Sequence, residues 1–198
     1  MKYHRFIIVF LFLPLMNLVA QQSMEPVASF LGTHSSERVG YHLHSAGDVN
    51  GDGYDDFLIG TFHNATRGFN SGAAYLILGQ RSTSWGVNVS LNSADAKFIG
   101  KSIYDAAGYC LGGGGDVNGD GYDDFIISAP AGDDNEPENP GYVYIVFGKP
   151  NPNWGTNFIL EDGADAYYAG ENPHDIAGIS VAMAGDINGD GLDDILVG

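Results

Sequence analysis

The sequence predicts an all-β chain made of β-propeller blades, each of about four short antiparallel strands, with roughly two and a half repeats present. Three observations predict it. An acidic, glycine-rich loop recurs three times, starting at residues 48, 116 and 186. Each copy lies between short apolar runs rich in β-branched and aromatic residues, the composition of strands. Beyond the first twenty residues, no segment sustains a 3.6-residue apolar period. Repetition over about 70 residues copies one supersecondary unit, and four-stranded units repeated radially make a propeller.

The N-terminal segment is a separate object. Lys2 and Arg5 precede a mostly apolar run from Phe6 to Ala20, interrupted by Pro14 and Asn17. The run is short for a membrane span, which needs about 20 residues. Residues 1–20 therefore read as a secretory signal peptide, with a signal anchor as the alternative. The repeats occupy 21–198, and no membrane span is expected after cleavage. Cys110 is the only cysteine, so no disulfide can form within the chain and a secreted fold needs another brace.

The repetition extends well beyond the loops. Gly32, Gly100 and Gly170 lie sixteen residues before a loop, and Gly40, Gly108 and Gly178 lie eight before it. Gly47, Gly115 and Gly185 immediately precede it. One strand is expected before each loop, one after it (Phe57–Ile59, Phe125–Ile127, Ile195–Val197), and one in the runs 73–78 and 142–147. A fourth is expected within Val87 to Lys101 and within Phe158 to Gly170. Apolar runs on both sides of the loop suit inner strands covered on both faces, with the loop joining them at one rim.

The loops themselves span 48–56, 116–124 and 186–194 and carry the chemistry. Oxygen-bearing side chains stand at positions 1, 3, 5 and 9: Asp48, Asn50, Asp52 and Asp56; Asp116, Asn118, Asp120 and Asp124; Asp186, Asn188, Asp190 and Asp194. Glycine at position 6 permits a sharp turn. The main-chain carbonyl of position 7 (Tyr54, Tyr122, Leu192) can then face the same point. Three carboxylates, an amide oxygen and a carbonyl form a hard, oxygen-only set that suits Ca²⁺ better than Mg²⁺, and the absence of thiolate or imidazole disfavours zinc and copper. About one Ca²⁺ per loop is expected. An EF-hand is excluded, because position 12 is Ile59, Ile127 or Val197 rather than glutamate and no helices flank the loop. The structural alternative is three acidic surface turns, which threefold agreement at every ligand position makes remote.

The formal net charge is −17, and the three loops, with four Asp each, hold about half of the 25 acidic residues. Such a charge argues against nucleic acid and anionic membranes as partners. Self-repulsion among the loops should couple the fold to the metal.

Other residues support packing or solvent roles. His42, Cys110 and Ser180 share one slot relative to the loops, a strand position rather than a catalytic one. The acidic stretch 133–138 reads as a solvated loop. Asn64-Ala65-Thr66 and Asn88-Val89-Ser90 match the glycosylation pattern. Tyr142, Tyr144, Trp85 and Trp154 read as blade packing rather than sugar platforms. No Ser-His-Asp set, recurring carboxylate pair or phosphate loop stands out.

Phe30-Leu31-Gly32, Phe98-Ile99-Gly100 and the variant Tyr168-Ala169-Gly170, followed by Gly178-Ile179-Ser180-Val181-Ala182 in the third unit, the loops, and Ser128-Ala129-Pro130 in the second, resemble the FG-GAP repeats of the integrin alpha-chain propeller and its bacterial relatives. Gly60-Thr61-Phe62 departs from the pattern. The resemblance covers roughly residue 28 to the end. It implies a seven-bladed propeller in which structural calcium braces the hairpins, on the face opposite the ligand surface. Two units and part of a third cannot close a ring. The chain is therefore expected to be a fragment whose last blade has an open edge.

The reading of function is a secreted or cell-surface, calcium-binding adhesion or binding module with a protein or glycan ligand, and more a non-enzyme than an enzyme. The alternative is the propeller part of a secreted hydrolase or lyase. A calcium sensor is disfavoured, because rigid strands flanking the loop leave little to switch.

Overall fold

A computed structural model describes residues 28–34, 36–82, 85–130 and 139–198. The expected signal segment and the acidic stretch 133–138 lie outside the described residues. The described chain is built of short strands, with one 3₁₀ turn at Leu91–Ser93 and one helical turn at Leu160–Gly163.

The first blade runs from the inner strand outward. β2 (Leu43–Gly47) pairs antiparallel with β3 (Asp56–Gly60), β3 with β4 (Ala73–Ile77), and β4 with β6 (Ala96–Ile99). The second blade repeats this order with β7 (Leu111–Gly115), β8 (Asp124–Ala129), β9 (Tyr142–Val146) and β11 (Ala166–Ala169). A third sheet pairs β12 (Val181–Gly185) with β13 (Asp194–Val197), and among the described residues β13 pairs with β12 alone. The loops join the two inner strands of each sheet, as expected. The chain is all-β, and its sheets are propeller blades.

The irregular stretch expected to hold one strand holds two. β5 (Gly86–Ser90) and β10 (Phe158–Ile159) precede the outer strands β6 and β11. Neither joins the blade that follows it. β5 runs parallel to β1 (Ala28–Leu31), and β10 runs parallel to β6 at the outer edge of the first blade, with Phe158 opposite Phe98. The first blade thus has five strands, the fifth contributed by the second blade's connection. Each connection reaches back to the sheet before it and then returns.

Strand alternation explains why the central runs are apolar at every position. Successive side chains point to opposite faces. Leu58, Ala74, Leu76 and Phe98 face the second blade, where they meet Leu111, Phe125, Ile127 and Val146. Phe57, Ile59, Ala73, Tyr75 and Ile77 face the other way, toward Ala28, Phe30 and Leu91. On the far side of the second blade, Ile126 and Val143 meet Val181.

The tryptophans close these interfaces. Trp154 sits 5.9 Å from Phe98 on the first blade and 5.6 Å from Phe125 on the second, both edge-on. Trp85 repeats the arrangement less tightly against Phe57, which in turn meets Phe30. Full burial of an aromatic of this size contributes about 1.5–3 kcal/mol. Trp154→Ala should therefore lower the unfolding free energy by about 3–5 kcal/mol in urea denaturation, and Trp154→Phe by clearly less.

Candidate metal centre

Each inner strand ends in an irregular register just before its loop, between Ser45 and Gly47, Gly113 and Gly115, and Met183 and Gly185. Such bulges stop the pairing and re-aim the chain. The loop then turns twice through positive φ. Position 6 does so in every copy (Gly53 at 87°, Gly121 at 90°, Gly191 at 92°), as the sequence predicts, and position 4 does so as well (73°, 77° and 79°). Nothing lies within 4 Å of where a Cβ on Gly53 or Gly121 would stand, so glycine is required there by the backbone and not by crowding.

These turns draw the side-chain oxygens inward. Asp48 Oδ1 and Asn50 Oδ1 both accept from the Asp52 amide, at 3.0 and 2.9 Å. Asp48 Oδ2 accepts from Gly53 N–H, and Asp52 Oδ1 from Tyr54 N–H. The second loop repeats the pattern: Asp116 and Asn118 meet at the Asp120 amide, and Asp120 accepts from Tyr122 N–H. In the third, Asp186 and Asn188 meet at Asp190 N–H, and Asp190 accepts from Leu192 N–H. Positions 1, 3 and 5 are thus brought together three times.

The ninth residue behaves differently. Asp56 is buried as the first residue of β3, and its two oxygens accept from Val49 N–H in the loop and Gly79 N–H beyond β4. Asp124 does the same with Val117 and Gly148. Burial pushes both carboxyls up to about 6; the neighbouring loop aspartates push the same way, and the amide bonds oppose them. Asp194 accepts instead from Ile187 and Asn188 amides and from Asn188 Nδ2.

The donor set is oxygen-only, which fits a hard cation such as Ca²⁺ and no soft one. Among the described residues, no group of three or more His, Cys, Asp or Glu side chains is positioned to hold a metal ion.

The eighth residue, to which sequence reasoning assigned no role, links the loops. Asp123 Oδ2 accepts from Asp48 N–H at 2.7 Å, and Asp123 N–H donates to Asp48 O at 3.3 Å. Asp193 makes the same two bonds to Asp116, at 2.8 and 3.1 Å. The signal was present in the sequence as aspartate at position 8 of every copy.

At the opposite rim, Tyr41, Phe62 and Tyr109 form an aromatic cluster with centroids 4.4–5.4 Å apart, and the Arg38 guanidinium lies 5.4 Å over Phe62. His42 Nε2 lies 3.7 Å from Cys110 Sγ, as adjacent copies of one slot should. The two glycosylation-pattern asparagines differ. Asn64 is buried, donating to Glu37 and to the Tyr75 hydroxyl, whereas Asn88 is exposed on β5. Tyr144 is buried between the blades, and Tyr142 packs against the same cluster. No helix among the described residues is long and apolar enough to cross a membrane.

Comparison with known proteins agrees with this architecture. The FG-GAP repeat model matches residues 40–77 and 108–146. Integrin alpha-6 of Gallus gallus is 29% identical over 180 residues, covering 90% of this chain and 15% of that protein. Integrin alpha pat-2 of Caenorhabditis briggsae is 29% identical over 157 residues, 76% of this chain and 12% of the relative. Integrin alpha-PS2 of Drosophila melanogaster is 31% identical over 102 residues, 52% of this chain and 7% of the relative. The chain therefore spans a small part of the length of these relatives.

The buried aspartates set a pH dependence. Their folded pKa of about 6 lies above the unfolded value of about 3.9, so the protonated form favours the fold. With divalent cations chelated, the urea midpoint should fall as pH rises from about 4 through 6 and level off above 7. Glu37, held below its ordinary value by bonds from Thr33 and His34 despite its burial, acts in the opposite sense and only below about 4.5.

Proposed function

We propose that this chain, which carries FG-GAP repeats like those of integrin alpha chains, is part of an extracellular binding or adhesion module whose propeller hairpins are braced by calcium. The observation that carries the reading is the threefold loop. Asp48, Asn50 and Asp52, and their counterparts in the other two copies, turn oxygens into one small volume at the same end of three sheets.

The cation would be held by Asp48, Asn50, Asp52, the carbonyl of Tyr54 and Asp56, and by the corresponding residues of the other loops. When bound it would neutralise carboxylates that otherwise repel one another, and it would favour the ionised form of Asp56 and Asp124. Its role is mechanical, because the strands that follow the first two loops, β3 and β8, are buried and leave those loops no second packing. The ligand, a protein or a glycan, would be met at the opposite rim, where Arg38, Tyr41 and Tyr109 surround Phe62. Acidic loops at one end and an aromatic, cation-bearing rim at the other give the blades two distinct surfaces.

Calcium titration by calorimetry on the full-length protein, beside thermal melts with and without chelator, tests the bracing. The expected result is binding at each loop with affinity of roughly 10⁻⁴ to 10⁻³ M, and a melting temperature that drops on chelation. Asp52→Ala or Asp120→Ala should loosen its own hairpin in hydrogen exchange and leave the other hairpins protected. Identical melts with no heat of binding would overturn calcium bracing.

A further inference from the structure

We propose that Asp123 and Asp193 position the first cation ligand of the loop in the preceding blade, so that the loops at 48–56 and 116–124 are each completed by two blades. The proposal rests on the calcium reading above, and it concerns residues that are not themselves in the ligand set.

Four contacts converge on the first loop from its neighbour. Asp123 takes the Asp48 amide on its carboxylate and gives its own amide to the Asp48 carbonyl. Both peptide groups flanking the Asp48 side chain are thereby fixed, which fixes the direction in which that side chain leaves the backbone. Lys149 N–H donates to the Val49 carbonyl at 2.9 Å. The Tyr122 ring lies so close to Gly51 that a Cβ there would stand 2.5 Å from it. The second loop receives the same pair of bonds from Asp193, with Leu192 against Gly119.

The glycines before the first two loops now have a reason. A Cβ on Gly47 would stand 2.2 Å from Asp123 Oδ2, and one on Gly115 would stand 2.7 Å from Asp193 Oδ2. Any side chain at either position would push the clasping carboxylate away.

In the third loop Asn188 Nδ2 turns to Asp194, whereas Asn50 and Asn118 give theirs to Asp52 and Asp120.

The test is deuterium exchange of the full-length protein titrated with Ca²⁺ alone, read on peptides covering 48–56 and 116–124. In Asp123→Ala, the calcium needed to half-protect 48–56 should rise about tenfold, the loss of one charge-assisted hydrogen bond, while 116–124 changes by less than about twofold. Asp193→Ala should move the defect to 116–124. Asp123→Asn keeps an oxygen acceptor and the amide donor, and should restore most of the affinity of 48–56. A defect confined to the variant's own loop, or equal in both loops, would overturn the proposal. If the wild type shows no calcium-dependent protection anywhere, the calcium reading fails and the ligand-positioning role fails with it. Faster exchange at 48–50 in chelated Asp123→Ala would then show the inter-blade clasp standing alone.

Discussion

The constraint on which this structure depends is that no sheet buries its own strands. Each central strand is apolar on both faces, and each face is covered by a different neighbour. Leu58 and Ile59 are adjacent in sequence and both fully buried, yet they belong to separate interfaces. A blade is therefore a poor folding unit by itself, and stability accrues at the junctions between blades, as in other repeat architectures. The parallel strands β5 and β10 follow from this. Each lays a piece of one blade's connection along the outer edge of the blade before it, and Trp85 or Trp154 fills the wedge between.

Packing the blades also packs the loops. Because the inner strands stand side by side, three loops of four aspartates each are held along one rim. The crowding is opposed by main-chain amides: the turns of positive φ aim N–H groups at Asp48, Asn50 and Asp52, and Asp56 takes two more from separate elements. Hydrogen bonds to an ionised carboxylate favour that form, while burial opposes it. Burial prevails for Asp56 and Asp124, whose pKa values rise. A divalent cation at this rim would relieve a strain that the fold itself creates.

The opposite rim shows what the repeat leaves free. The slot shared by His42, Cys110 and Ser180 tolerates three chemistries. Glu37, Asp105 and Asp175 occupy another shared slot. Asp105 and Asp175 cap their turns through Ser102 and Asn172 amides, whereas the longer Glu37 reaches Thr33 and also the buried Asn64.

The sequence by itself determined the strand class, the repeat, the loop positions and which residues of each loop bear oxygen. These are local properties, set by alternation, by glycine and by spacing, and each recurs often enough to be read directly. Tertiary structure alone decided the rest. It split the irregular connection into two strands, because β5 and β10 are short, partly exposed and parallel to residues far away in sequence. It buried Asn64 and exposed Asn88, although both carry the same three-residue pattern. It also made Asp123 and Asp193 clasps: position 8 looks like any acidic turn residue until the preceding blade brings an amide to it, and that contact spans 75 residues in one case and 77 in the other.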